Sequence, residues 1–299
     1  MGRPGAPTAN LARLIRAFPR LDVGVLGDLM VDVYVEGVTR RLAREAPVPT
    51  VDIELRHDEP GGAANAAANV GALGASVTLL GVLGDDPDGD ALREALRRDA
   101  VGDGLVVRQI GRRTLVKQRV VAQGQLLLRL DHGDTTPVGA EAERTLLEGL
   151  ERVHARADAL IVSDYGYGTI TPAVLERLAA LQRRAPKVLV VDAKDGLRYT
   201  SIGVTAVKPN YEQAVRWLGL TPLRGERRIA QLDRRGPDLL TLTGAELVAV
   251  TLDSDGALLF EPDTPPYRTF ARPERQSRST GAGDTFAAAL TLALAGGAQ

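Results

Sequence analysis

Short apolar runs rich in Val, Ile and Leu recur along the chain, and longer stretches in which apolar residues return every three or four positions lie between them. The runs at 22–28 (DVGVLGD), 76–84 (SVTLLGVLG), 157–164 (ADALIVSD), 187–193 (KVLVVDA), 204–210 (VTAVKPN) and 246–253 (ELVAVTLD) read as strands ending in polar or Gly-bearing loops. The intervals 62–74, 88–98, 140–155, 172–184 and 211–218 read as helices. This alternation predicts an α/β fold with a mostly parallel sheet covered by helices. Ligands bind such sheets at the carboxyl ends of the strands, where Asp28, Asp164, Asp192, Asn210 and Asp253 all fall.

Two segments break the rhythm. Residues 33–57 and 105–131 have strand character without a long helix after them, and the second alternates basic or polar with apolar positions (TLVKQRVVAQGQLLLRLD). They are expected to pair into a small β lid outside the main sheet. There is no internal repeat and no low-complexity segment, and only the first ten or so residues read as disordered.

With 299 residues, 44% of them hydrophobic, the chain can bury one large core or two small ones. Its 37 basic and 38 acidic side chains leave a net charge of −1, without the basic patch that nucleic acid binding needs. The absence of cysteine excludes disulfides and thiolate metal sites, and His57, His132 and His154 lack metal-ligand spacing. The N-terminus carries no signal-peptide pattern, so a cytoplasmic enzyme or binding protein is expected. The longest apolar stretch, 286–295, is about half of the roughly 20 residues that span a bilayer and reads as a buried helix. Trp217, on the helix after Asn210, is expected to pack rather than to stack on a base.

The segment EPGGAANAAANVGALGA (59–75) places Gly61 and Gly62 at the start of an Ala/Asn-rich helix, with the amide of Asn65 one turn in. A capped helix packed closely on a sheet accounts for the glycines alone. Asn65 beside strand-end carboxylates adds the donors and acceptors that a polyhydroxylated ligand uses. Asp28 and Asp32 in GDLMVDVY supply two more acceptors, with a solvated loop or an N-cap as the plainer alternative.

The second glycine motif, STGAGDTFAAAL (279–290), feeds a helix almost at the end of the chain. A helix N-terminus leaves N–H groups unpaired and carries partial positive charge. The N–H groups of Ala282, Gly283 and Asp284 are therefore expected to face one anion, with the Asp284 carboxylate where an attacking hydroxyl would arrive. Phosphoryl transfer needs this pairing of anion donors and a base. No Walker-type loop is present.

These motifs carry a resemblance. The segments GGAANAAANVGALG, VKPN, TLDSDGALLF and TGAGDTFAAAL occur in the order found in the ribokinase-like, or PfkB-type, carbohydrate kinases. Within that family GDLMVDVYVEGVTRRLAREAPVPTV, TLVKQRVVAQGQLLLRLD, VSDYGYGTIT and VDAKDGLRYTSIGVTAVKPN are most similar to the D-glycero-D-manno-heptose 7-phosphate kinases, the kinase half of a bifunctional ADP-heptose synthesis protein, and the likeness runs from about residue 21 to 296. The resemblance implies a single three-layer kinase domain over 1–299, a β lid, a dimer contact, and ATP with Mg2+ across the later strands. It implies transfer to O1 of the heptose phosphate. Asp284 would be the base, and the turn Gly281, Ala282, Gly283 would hold the transferring group. The sugar would meet Asp28, Asp32, Gly61, Gly62, Asn65 and Asp164, with Lys117, Arg119, Lys194 and Arg129 as candidates for its phosphate. Asn210, Thr251, Asp253 and Gly256 would lie along the nucleotide.

The chain departs from the family in four places. Arg278 stands where an acidic residue is usual, and Asn-x-x-Glu appears as Asn210-Tyr-Glu-Gln213. Glu212 comes one residue early, about 100° around the helix from the usual glutamate. Asp-Tyr-Gly-Lys-Gly reads Asp164-Tyr-Gly-Tyr167-Gly168, losing a cation. The chain also stops at Gln299, sooner than is usual, so a truncated C-terminus or a separate nucleotidyltransferase part is expected. Two other readings stay open: a degenerate ribokinase-like binding protein with little transfer activity, and a kinase for another sugar or sugar phosphate.

Overall fold

Along the first strand Val23 and Val25 point to one side of the sheet and Leu26 to the other, and both sides are buried in separate apolar clusters. Ile161 and its neighbours Leu160 and Val162 divide in the same way. A strand covered on both faces cannot show polar alternation, and this is why these segments are continuous apolar runs.

The computed structural model describes residues 7–271 and 280–298. In chain order the elements are α1 (Pro7–Ala17), β1 (Asp22–Gly27), β2 (Leu29–Leu42), β3 (Pro49–Gly62), α2 (Ala63–Ala72), β4 (Ser76–Gly84), α3 (Pro87–Arg98), β5 (Val106–Gln109), β6 (Leu115–Ala122), β7 (Gln125–His132) and α4 (Ala140–Arg156). They continue with β8 (Ala159–Asp164), α5 (Pro172–Arg184), β9 (Val188–Ala193), β10 (Ala206–Val207), α6 (Tyr211–Trp217), α7 (Glu226–Arg235), α8 (Asp238–Thr243), β11 (Leu247–Thr251), β12 (Ala257–Phe260), β13 (Tyr267–Thr269) and α9 (Ala282–Ala295).

The main sheet runs β13-β12-β11-β10-β9-β8-β1-β4-β5. Its pairings are parallel except for β11 with β12 and β12 with β13. Side chains of α4, α5, α6 and α7 fill one face and those of α2, α3 and α9 the other, giving the ribokinase-like three-layer α/β fold.

The second sheet, β3-β2-β6-β7, is the lid. It leaves the main sheet directly, since only Asp28 separates β1 from β2, and β3 leads without a break into α2. The segment expected at 105–131 divides in two: Val106–Gln109 pairs with β4 at the edge of the main sheet, and only β6 and β7 belong to the lid. A parallel crossover through α3 returns the chain to the main sheet before it turns out again. Pattern reading also left α1, α7, α8 and the β12–β13 hairpin unassigned. The helix from Pro7 corrects the expectation of disorder for residues 7–10, while residues 1–6 lie outside the described residues. No described helix is long and apolar enough to cross a membrane.

Candidate active site

The N-termini of α2 and α9, the loop 165–169 after β8 and one face of the lid converge at the carboxyl ends of the strands. Gly281 caps α9 at φ +86°, a left-handed conformation that glycine adopts without strain. A Cβ there would come within 2.6 Å of Asn65 Nδ2, so the position also needs the missing side chain. The N–H groups of Asp284 and Thr285 both donate back to Gly281 O. Those of Ala282 and Gly283 have no acceptor among the described residues and remain for an anion, which corrects the expectation that Asp284 N–H joins them.

The Asp284 side chain is buried at 6% exposure. Its Oδ2 accepts from Asn65 Nδ2 at 2.6 Å, and its Oδ1 faces Tyr165 Oη at 3.3 Å. Burial, and then the charge of Asp192, push its pKa up to about 6, while the Asn65 hydrogen bond, Lys208 and Tyr165 act the other way. Burial raises the Tyr165 hydroxyl, so it stays a proton donor.

Lys208, directly after β10, is 5% exposed and holds Asp192 Oδ2 at 2.9 Å. A Cβ on Gly283 would sit 3.3 Å from Lys208 Nζ, so the small residue admits a cation beside the anion-binding turn. Lys208 and Tyr165 were not among the site residues read from the sequence, and Asp192 was placed at a ligand-facing strand end without a role. A lysine closing an apolar strand was the available signal for the first.

Asp28 departs from its expected role. It is fully buried, and its carboxylate accepts from the backbone N–H of Tyr165 (2.9 Å), Tyr167 (3.0 Å) and Thr169 (3.1 Å). Arg112 grips the same loop from its carbonyl side, donating to Tyr167 O at 3.0 Å. Asp28 therefore anchors the loop and, with no exposed surface, is not presented to a sugar. Gly62, at φ +59°, lets Ala63 N donate to Asp28 O, and a Cβ would come within 2.5 Å of that oxygen.

Asp32 lies on the lid. Register places Glu59, Asp32, Lys117 and Asp131 in one cross-strand row and His57, Tyr34, Arg119 and Arg129 in the next, all on one face. Arg119 donates to Asp32 Oδ1 at 2.6 Å, and Gly61 leaves room beside Asp32, since a Cβ there would lie 2.7 Å from Oδ2. Lys117 Nζ stands 5.6 and 5.5 Å from the ring centroids of Tyr165 and Tyr167, and 3.4 Å from Tyr167 Oη. Arg129 shares that face, opposite Arg119, but is exposed and paired with Asp131 at 2.9 Å.

Asp164 is held by groups other than those around Asp284. It accepts from Tyr199 Oη (2.7 Å), Arg198 (3.1 Å) and Gly166 N (2.8 Å), and burial raises its pKa. With Lys194, Arg198, Arg216 and Trp217 it lines a cavity of about 360 Å³. Trp217 packs over Gly196, where a Cβ would meet its ring at 2.5 Å, in line with the packing role expected of it.

Asn210 caps α6 in a reciprocal box. Asn210 Oδ1 accepts from Gln213 N, and Gln213 Oε1 accepts from Asn210 N, each at 2.8 Å. Gln213 thus closes the cap of α6, and Glu212 is exposed. Thr251 ends β11 beside Asn210, and Asp253 and Gly256 belong to the following turn, where Arg228 holds Asp253 and Asp255. Arg278 lies outside the described residues. No three His, Cys, Asp or Glu side chains among the described residues converge as a metal cage. This donor set fits Mg2+ only as the partner of nucleotide phosphates and water, a mode the ion favours.

A lid over the strand ends of a mostly parallel sheet, closing on a carboxylate beside an anion-binding turn, is the layout of a phosphotransferase acting on sugar alcohols. The chain belongs to the pfkB family of carbohydrate kinases, which it matches over residues 21–299. It is 36% identical over 287 residues to the bifunctional protein HldE of Desulfatibacillum aliphaticivorans, covering 95% of this chain and 58% of that protein. It is 36% identical over 292 residues to the bifunctional protein HldE of Caulobacter vibrioides, covering 97% and 59%. The chain thus spans a little over half the length of these curated relatives. Among solved structures it is similar to Arabidopsis thaliana ribokinase complexed with ribose and ATP (TM-score 0.70, 22% identity, 93% of this chain and 87% of that one). It is also similar to the tetrameric inhibited form of Escherichia coli phosphofructokinase-2 (TM-score 0.72, 20% identity, 93% and 88%). The likeness to these two structures is one of fold.

Proposed function

We propose that this protein transfers the γ-phosphoryl group of ATP to O1 of D-glycero-D-manno-heptose 7-phosphate, giving the 1,7-bisphosphate and ADP. One observation carries the choice of a phosphorylated sugar: a single tyrosine ring, Tyr165, separates the carboxylate of Asp284 from the ammonium of Lys117. A base and a phosphate-reading cation held about one sugar apart suit a substrate with a hydroxyl at one end and a phosphate at the other. The heptose itself rests on the likeness of the lid and strand-end segments to heptose kinases.

In this reading Asp284 Oδ1 takes the proton of O1 as that oxygen attacks the γ-phosphorus and the bond to the ADP oxygen breaks. The N–H groups of Ala282 and Gly283, with Lys208, meet the charge on the transferring oxygens, where preorganised donors act most strongly. Asp32, held by Arg119, orients sugar hydroxyls with Gly61. Lys117 and the Tyr167 hydroxyl take the 7-phosphate, and Lys194 supports them from the neighbouring cavity. Asn210, Thr251, Asp253 and Gly256 border the nucleotide. Mg2+ bound to ATP neutralises phosphate charge when present.

The lid also exposes apolar surface. Leu128 and Leu130 share the face of Val31, Val33, Val35 and Val116 but lie beyond the core, exposed at 52% and 45%. A homodimer formed through this face would cover them. A nucleotidyltransferase, fused or separate, and a cytoplasmic setting complete the reading.

ADP formation with Mg-ATP tests it over a panel of D-glycero-D-manno-heptose 7-phosphate, fructose 1- and 6-phosphates, ribose and a nucleoside. Turnover is expected on the heptose phosphate and should fall by about 10² to 10⁴-fold in Asp284→Asn. Turnover on a different sugar would replace the substrate. Binding of ATP or heptose phosphate without turnover on any of them would favour a binding protein.

A further inference from the structure

Asp284 ends a chain of side-chain hydrogen bonds that begins at its own neighbour in sequence. Thr285 Oγ1 donates to Asn69 Oδ1 at 2.6 Å. Asn69 Nδ2 donates to Asn65 Oδ1 at 3.0 Å and to the Asn65 carbonyl at 2.9 Å. Asn65 Nδ2 then donates to Asp284 Oδ2 at 2.6 Å. Asn65 and Asn69 are one turn apart on α2, and Asp284 and Thr285 belong to the first turn of α9, so two packed helix ends close the chain.

An amide can turn by 180° with almost no change of shape, and only its partners decide which end is oxygen and which is nitrogen. An ionised carboxylate accepts and cannot donate. Asn65 must then offer its NH2 to Asp284 and its oxygen to Asn69. Asn69 must in turn offer NH2 inward and its oxygen outward, where the Thr285 hydroxyl supplies the donor that completes the order. A second acceptor for that hydroxyl, Gly281 O, lies farther away at 3.3 Å.

We propose that Asn69, which touches no reacting group, is a positioning residue that locks the Asn65 amide so that Oδ2 of Asp284 is always held by a short amide donor, while Oδ1, met only by the longer contact from the Tyr165 hydroxyl, receives the substrate proton. Thr285 sets the sense of the lock from the surface. The inference rests on the reading of Asp284 as the base. The other ionisable groups facing Asp284 are Tyr165 after β8, Asp192 at the end of β9 and Lys208 after β10, and none of them bonds to Asp284 Oδ2. The ordered donor favours the ionised carboxylate, whereas burial and Asp192 oppose it.

The test is a titration of the Asp284 carboxyl carbon in the full chain by NMR with 13C-labelled aspartate, the signal being assigned by its loss in Asp284→Asn. It needs no substrate. Asn69→Leu, which keeps the bulk and adds no charge, should raise the Asp284 titration by about one pH unit, a tenfold shift in its proton equilibrium. Thr285→Val should raise it by less, and Thr285→Ser should restore the wild-type value. Thr285 is exposed, so its two variants keep the test decisive should Asn69→Leu not fold. A titration unmoved in Thr285→Val and in folded Asn69→Leu, or displaced equally by Ser and Val at 285, overturns the lock. The kinetic arm separates the two readings. Full activity in Asp284→Asn removes the base and leaves the titration to judge the network, whereas loss of activity there with an unmoved titration removes the network alone.

Discussion

At the scale of single residues, the two aspartates of GDLMVD illustrate how neighbours in sequence take different tasks. Asp28 is enclosed by three backbone donors, whereas Asp32, four positions on, projects from the lid towards a partner cation. Asp284 belongs to neither kind: it is buried beside another carboxylate and holds its proton up to about pH 6 against an ordinary 3.8. Its folded-state pKa is raised, so its contribution to stability is fully present below about pH 4 and is lost as pH rises through 6. A shift of that size corresponds to at most about 3 kcal/mol. Asp284→Asn should therefore raise the Tm by a few degrees at pH 8 and leave it nearly unchanged at pH 4, as measured by calorimetry. Equal melting of both proteins at pH 8 would mean that the ionised carboxylate is not held at a cost. In the wild type kcat/KM should climb with pH through about 6, the point at which the free enzyme's base ionises.

At the scale of elements, the lid acts through its cross-strand rows. The pairing of β2 with β6 sets Asp32 opposite Lys117 and Tyr34 opposite Arg119, yet Arg119 reaches diagonally to Asp32 and leaves Lys117 over the tyrosines. The two cations should then respond differently to removal. Lys117→Ala is expected to raise KM for a phosphorylated sugar about 10-fold or more and to leave its dephosphorylated analogue unaffected. Arg119→Ala should lower kcat/KM for both, because Asp32 loses the group that orients it. Steady-state kinetics on the paired substrates decides this, and equal effects of Lys117→Ala on the two would remove Lys117 as the phosphate reader. The main-sheet elements were mostly legible beforehand because burial on both faces imposes long apolar runs. The β12–β13 hairpin and β5 were not, since these strands are three or four residues long and depend on an edge already in place.

At the scale of the whole molecule, the chain folds into a three-layer body whose lid carries apolar side chains past the core. Leu128→Glu with Leu130→Glu should convert a dimer into a species of 31.8 kDa without loss of secondary structure, read by sedimentation equilibrium and circular dichroism. A wild-type protein that already sediments at that mass would remove the dimer. In the proposed dimer the sheet that meets a second copy would also carry Asp32, Lys117 and Arg119.

The sequence by itself determined the alternation of strands and helices, the glycine turn at the head of α9, the order of the family's motifs and the placing of carboxylates at strand ends. These are local properties: a run, a period or a turn is fixed by residues a few positions apart. Tertiary structure decided which of those polar groups are available. Asn65 meets Asp284 across 219 residues and Tyr165 meets it across 119. Lys208 lies against the anion turn at Gly283, where a Cβ would crowd its ammonium. No spacing along the chain reports such contacts, and they arise when strands from distant segments line up in one sheet and helix ends meet above it. The same packing buried Asp28 and raised the pKa of Asp284, because desolvation depends on what surrounds a carboxylate in three dimensions and not on its neighbours along the chain.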